Sequence, residues 1–108
     1  MVGHTGNIDA TINAVEVVDK CIGNIYQECK RNGYSLVVTA DHGNADLMYD
    51  KNKQLPCTTH SINPVPFIIC DNVTYSRKDG KLADIAPTIL KMLNINIPEE
   101  MNGLVLIK

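Results

Sequence analysis

The chain has 108 residues, a net charge of −2 and 44% hydrophobic residues, enough for one modest domain and too apolar for disorder to be the expectation. Acidic and basic residues are interspersed, so neither nucleic acid nor an anionic membrane surface is indicated as a partner. No apolar run approaches the roughly 20 residues of a membrane span, and "MVGHTGNIDA" has neither the basic-then-apolar order of a signal peptide nor the Gly directly after Met of a myristoylation site.

In chain order, Ile8, Ile12, Val15, Val18, Ile22, Ile25 and Cys29 recur at helical spacing and predict one amphipathic helix over residues 8–31. Asn7 or Asp9 is placed to cap its start, and "RNG" at 31–33 supplies a basic last turn and a Gly stop. Gly23, inside that helix, reads as a close helix contact. The run "YSLVVTA" predicts a strand over 35–40, and its continuous rather than alternating apolar pattern suits a parallel sheet covered on both faces. Residues 43–63 are polar without a clean period and predict a long loop with room for one helical turn or a small hairpin. Phe67–Cys70 reads as a second buried strand entered through Pro64 and Pro66. Residues 82–95, "LADIAPTILKMLNI", predict a helix with Asp84 as its cap, Pro87 in its first turn, and Ile85, Ile89, Met92 and Leu93 as its apolar face. Leu104–Ile107 reads as an edge strand. The order of helices and strands indicates an α/β class, layered α/β/α, with too few strands for a complete sheet.

The four cysteines form no C-x-x-C pair, and Cys21 and Cys29, eight residues apart on the predicted helix, read as core packing. A reducing compartment, the cytoplasm, fits this usage.

Three histidines, His4, His42 and His60, all stand in polar contexts: "VGHTG", "ADHGN" and "TTHSI". Asp41 and His42 follow directly on a predicted strand, where ligands collect in open α/β sheets, and Gly43 permits the backbone to bend. Imidazole and carboxylate together suit a divalent transition ion such as zinc or manganese. The residues thus point to a metal site made of Asp41, His42 and one or both of His4 and His60. Asp46 is a weaker candidate and reads first as a solvated loop carboxylate or the cap of a short turn; Arg77, Lys78 and Lys81 read as a solvated basic turn, with phosphate contact as the alternative. Cys57, three residues before His60, is weak evidence for a further ligand. No G-x-S-x-G or other clear nucleophile is present.

"MVGHTG", "AVEVVDKCIGNI", "VVTADHGNAD", "THSINPVPFI" and "DGKLADIAPTILKML", in that order, resemble the C-terminal part of the cofactor-independent (2,3-bisphosphoglycerate-independent) phosphoglycerate mutases, within the alkaline phosphatase superfamily. The resemblance covers essentially the whole chain and implies that residues 1–108 are the C-terminal segment of a metal-binding, alkaline-phosphatase-like domain. It implies an enzyme that interconverts 3-phosphoglycerate and 2-phosphoglycerate in glycolysis, with two divalent ions, commonly manganese, and a transiently phosphorylated serine. By that resemblance His4 and His60 would be ligands of one ion, and Asp41 and His42 ligands of the other. The family pattern Asp-Met-Val-Gly-His is entered here one residue late. The resemblance therefore implies that a metal-binding Asp, the nucleophilic serine and the substrate-gripping arginines lie outside these residues, and that the segment alone is inactive. A related two-metal phosphatase or phosphopentomutase is the alternative enzyme, and a non-catalytic metal-binding module the alternative outside enzymes. "NAD" after "ADHG", and "NPVPF", favour the mutase. Unpartnered apolar faces on 8–31 and 35–40 lead to the expectation of self-association, or of a loosely packed state, in isolation.

Overall fold

The structure is a computed structural model, and it describes residues 1–73, 75–76 and 78–108. The chain forms two compact units, residues 1–72 and 73–108.

The first unit opens on a short 3-10 turn, Val2–Thr5, followed by helix α1, Ile8–Asn32. Asn7 is the cap: its side-chain oxygen accepts from the Ala10 N–H at 3.0 Å, satisfying one of the orphan donors of the first turn. Gly33 ends the helix at φ 71°, and the Tyr34 N–H returns to the Cys29 carbonyl at 2.9 Å. The apolar stripe is where its spacing predicts, but it is not covered. Ile8, Ile12, Val15, Val18 and Ile25 are each 50–54% exposed. Cys21 is also exposed and Cys29 only half-buried, so core packing does not explain the cysteine spacing. Nothing stands within 4 Å of a Cβ placed on Gly23, which therefore marks no helix contact.

Strand β1, Leu36–Thr39, pairs with a later strand over Phe67–Cys70, with Leu36 opposite Cys70 and Thr39 opposite Phe67. The pairing is antiparallel, which corrects the parallel expectation. A parallel pair needs a crossover of a dozen or more residues, usually a helix, and residues 40–66 contain none. Instead they hold a small hairpin, β2 (Tyr49–Asp50) with β3 (Leu55–Pro56); the strand over Phe67–Cys70 is thus β4. The Asp50 carboxylate accepts from the N–H groups of Lys53 and Asn52, and these, Lys53 foremost, draw its carboxyl below the ordinary value. The β1–β4 sheet is not covered on both faces, since Ile68 is 44% exposed. The direction of pairing matters for function. It sets the end of β1 beside the start of β4, so the segments following Thr39 and preceding Phe67 flank the same end of the sheet.

The second unit starts its helical segment with a 3-10 turn, Leu82–Asp84, that runs into α2, Ile85–Met92. Asn94, at φ 55°, ends it earlier than the apolar pattern suggests. Asp84 stands at the N-cap position of α2, as predicted, but its side chain makes no cap bond to that helix. Its carboxylate is 2% exposed and accepts the Lys81 N–H at 2.9 Å on one oxygen and the Leu104 N–H at 2.8 Å on the other. These two backbone donors, Lys81 foremost, hold the Asp84 carboxyl below its ordinary value against the opposing effect of burial. The fully buried Thr88 hydroxyl donates to the Asp84 carbonyl and accepts the Leu106 N–H. Pro87, Leu106 and Ile107 are buried apolar residues here, while Leu93, predicted for the apolar face, is 62% exposed. The Leu104–Ile107 stretch forms no regular strand. It is tied by backbone bonds from the Lys78 N–H to Leu106 and from the Lys108 N–H to Ser76. Of the predicted basic turn, Lys78 and Lys81 are exposed and Arg77 lies outside the described residues.

Candidate metal centre

The site grows from the end of the β1–β4 pair. After Thr39 the chain bends through Asp41 and His42, and Gly43 bridges back to Ser61, whose N–H donates to the Gly43 carbonyl at 2.9 Å. The glycine is not needed here for a left-handed bend, because its φ is not positive. It is needed for close approach: a Cβ on Gly43 would overlap the Ser61 hydroxyl and lie 2.7 Å from an Asp46 carboxylate oxygen.

This bridge carries His60 to His42. Their rings stack with centroids 3.6 Å apart and planes inclined by 16°. His4 arrives from the N-terminal turn. Its Nδ1 bonds the Thr58 carbonyl at 2.6 Å, and its ring lies 5.2 Å from that of His60. The three histidines, separated by up to 56 positions, are thus gathered in one place, with His60 between the other two. Asp41 stands beside them, 85% exposed at its side chain, with a carboxylate oxygen 3.7 Å from His42 Nε2. The Nδ1 of His42 faces the Gly43 carbonyl at 3.1 Å, which leaves Nε2 as its outward nitrogen.

Asp46 is not the free loop carboxylate that its sequence context suggests. One of its oxygens accepts both the Ser61 hydroxyl at 2.8 Å and the Asn63 side-chain amide at 2.6 Å. Ser61 first and Asn63 second lower the Asp46 carboxyl below its ordinary value. Asn44 adds a longer bond, from its amide to the Thr59 carbonyl at 3.4 Å. These residues escape a reading of the sequence because their partners are 15 to 17 positions away; the only local signal is their place directly after "ADHG". Cys57 is half-buried, with its sulfur 3.7 Å from the Thr59 hydroxyl.

Among the described residues no group of three or more His, Cys, Asp and Glu side chains is placed to hold an ion together. The donor chemistry nevertheless fits divalent transition ions, with imidazole nitrogens and one carboxylate, all exposed. Open positions are what a catalytic site keeps and a structural site does not.

A model of the Metalloenzyme superfamily matches residues 1–97. The chain belongs to the Metalloenzyme superfamily. Within this superfamily, it is 55% identical over its whole length to a 2,3-bisphosphoglycerate-independent phosphoglycerate mutase of Gracilaria tenuistipitata var. liui, covering 22% of that protein. It is 56% identical over 95% of its length to the protein of the same description from Antithamnion sp., covering 21% of it. A crystal structure of Leishmania mexicana phosphoglycerate mutase at low cobalt concentration superposes with a TM-score of 0.85 at 30% identity, over 99% of this chain and 23% of that one. The chain therefore has the α/β fold of one segment of these metalloenzymes, and spans about a fifth of the length of the curated relatives it matches.

Proposed function

We propose that this chain is the metal-binding segment of a phosphoglycerate mutase that interconverts 3-phosphoglycerate and 2-phosphoglycerate in glycolysis. The observation that carries the reading is the convergence of His4, His42 and His60, with Asp41 beside them, at one end of the β1–β4 pair. His4 and His60 hold one divalent ion, and Asp41 and His42 the other, with manganese as the physiological metal. When bound, such ions neutralise phosphate charge and lower the pKa of an attacking hydroxyl. This segment's part is to present two donors per ion at fixed spacing and to leave the remaining positions open to phosphate oxygens and to ligands supplied from elsewhere in the enzyme. The attacking serine is likewise supplied from elsewhere, so the 108 residues alone are inactive. The setting is the cytoplasm, consistent with four free cysteines. Among the described residues no helix is long and apolar enough to cross a membrane.

The test is a chimera in which this chain replaces the matching segment of the Gracilaria enzyme. It is expected to convert 3-phosphoglycerate in an enolase-coupled assay with manganese and to lose turnover on His42→Ala. A folded chimera without turnover argues against the reading. Turnover by the 108-residue chain alone overturns the assignment of the nucleophile to another part of the enzyme.

The exposed stripe of α1 has a consequence under the same reading. Five large apolar side chains on one helix face, each half exposed, make the isolated chain self-associate. Light scattering is expected to show a mass that rises with concentration; a monodisperse monomer at all concentrations sinks this part.

A further inference from the structure

We propose that Asp46 is a positioning residue that fixes the spacing between the two donor pairs, acting through Ser61 and Asn63 rather than on an ion. Three observations converge on it. Asp46 lies four residues after His42, and its carboxylate is bonded to the two residues that bracket Ile62, directly after His60. The Ser61 it holds is buried and is also the residue whose N–H pairs with Gly43, directly after His42. Side-chain and backbone bonds thus close a small ring, Gly43–Asp46–Ser61, with a metal-donor histidine adjoining it on each side. Asn44 reinforces the same junction, reaching Thr59 on the other side of His60 and packing so closely on Gly3, next to His4, that no Cβ fits there. A stretch of four residues, Gly43 to Asp46, therefore touches the neighbours of His4 and His60 while its own chain carries His42.

The bonding geometry says what Asp46 contributes. Both donors go to a single carboxylate oxygen. A side-chain amide oxygen at the same place accepts both bonds equally well, because a carbonyl oxygen has two lone pairs. Acceptance, rather than charge, is what the brace requires. This deepens the metal-site reading above and rests on it for the role of the histidines, but the brace itself is a property of the metal-free chain.

The experiment uses the full chain as Asp46→Ala, Asp46→Asn and Ser61→Ala. Without metal, proton NMR reads the ring-current shifts of His42 and His60 and the contacts between them. Asp46→Ala and Ser61→Ala are expected to abolish these signatures and Asp46→Asn to retain them. In a manganese titration, Asp46→Ala is expected to weaken binding by roughly 10- to 100-fold, the usual cost of losing a group that orients metal ligands, with Asp46→Asn within about threefold of the parent. A circular dichroism melt checks that helix content is unchanged. Intact ring contacts in both Asp46→Ala and Ser61→Ala overturn the brace. Asp46→Asn as weak as Asp46→Ala overturns it too, by showing that the charge or direct ligation matters. Manganese that fails to bind the unsubstituted chain counts against the metal reading, while the metal-free spectra still decide the brace.

Discussion

The two units of this chain treat their polar side chains in opposite ways. In residues 73–108 the polar groups Asp84 and Thr88 are buried and every bond they make goes to backbone of the same unit. They hold the C-terminal stretch to α2, and no donor atom is left for a ligand. In residues 1–72 the buried Ser61 braces the end of the β1–β4 pair, while His4, His42, His60 and Asp41 there are exposed and keep donor atoms open. A polar residue closed by two backbone bonds works for stability. One held at its flanks, with its own tip free, is available for chemistry.

Substitutions should separate the two. The largest effect is expected from His42→Ala, which should weaken manganese binding by at least about 100-fold, more than loss of an outer partner does, while stability shifts by no more than about 0.5 kcal/mol, as at other surface positions. Calorimetry paired with a urea titration reads both; a large loss of stability breaks the contrast. Next is Thr88→Val, which strips the Leu106 N–H of its buried acceptor and should cost about 1–3 kcal/mol with manganese affinity unchanged. A urea midpoint indistinguishable from the parent's means the hydroxyl is not closing the unit.

Acid should act on the same side of the comparison. The Asp84 carboxyl is held below its ordinary value in the folded chain, so its stabilisation is fully present above the unfolded pKa of about 3.9 and is lost as pH falls through the lower folded value. Urea midpoints followed from pH 6 to pH 2 should decline below about pH 4, and Asp84→Asn should flatten part of that decline; an unchanged acid limb removes Asp84 as its source. The smallest effect is a gain. Gly23→Ala, with nothing near the new methyl group, should stabilise α1 by about 0.5–1 kcal/mol, visible as a higher melting temperature with no change in metal affinity.

Legibility followed the range of the interactions. The ends of α1 were readable because Asn7 and Gly33 act on residues three and four positions away. Phe67–Cys70 was readable as a strand from its own composition. Its direction relative to β1 was not, because a continuous apolar run carries no sign for parallel or antiparallel pairing. Asp84 was readable as the residue at the N-cap position, but its carboxylate's tie to Leu104 was not, because that partner is 20 residues on. The same divide runs through the site. His4, His42 and His60 stood out by their polar settings, whereas Asn44 and Asp46 acquire their role only when the segment preceding Phe67 folds back beside them.

The β1–β4 pair has one more property. Among the described residues each of its strands has a single neighbour, and in an antiparallel ladder only alternate residues exchange both of their backbone bonds with that neighbour. Along Leu36–Thr39 and Phe67–Cys70, amide hydrogen exchange should therefore alternate, slow at one residue and fast at the next. A further strand arriving at either edge needs no change in the register already set between Leu36 and Cys70. Its arrival would be recorded as the fast amides of one strand falling silent while those of the other continue to exchange, which identifies the edge it has joined.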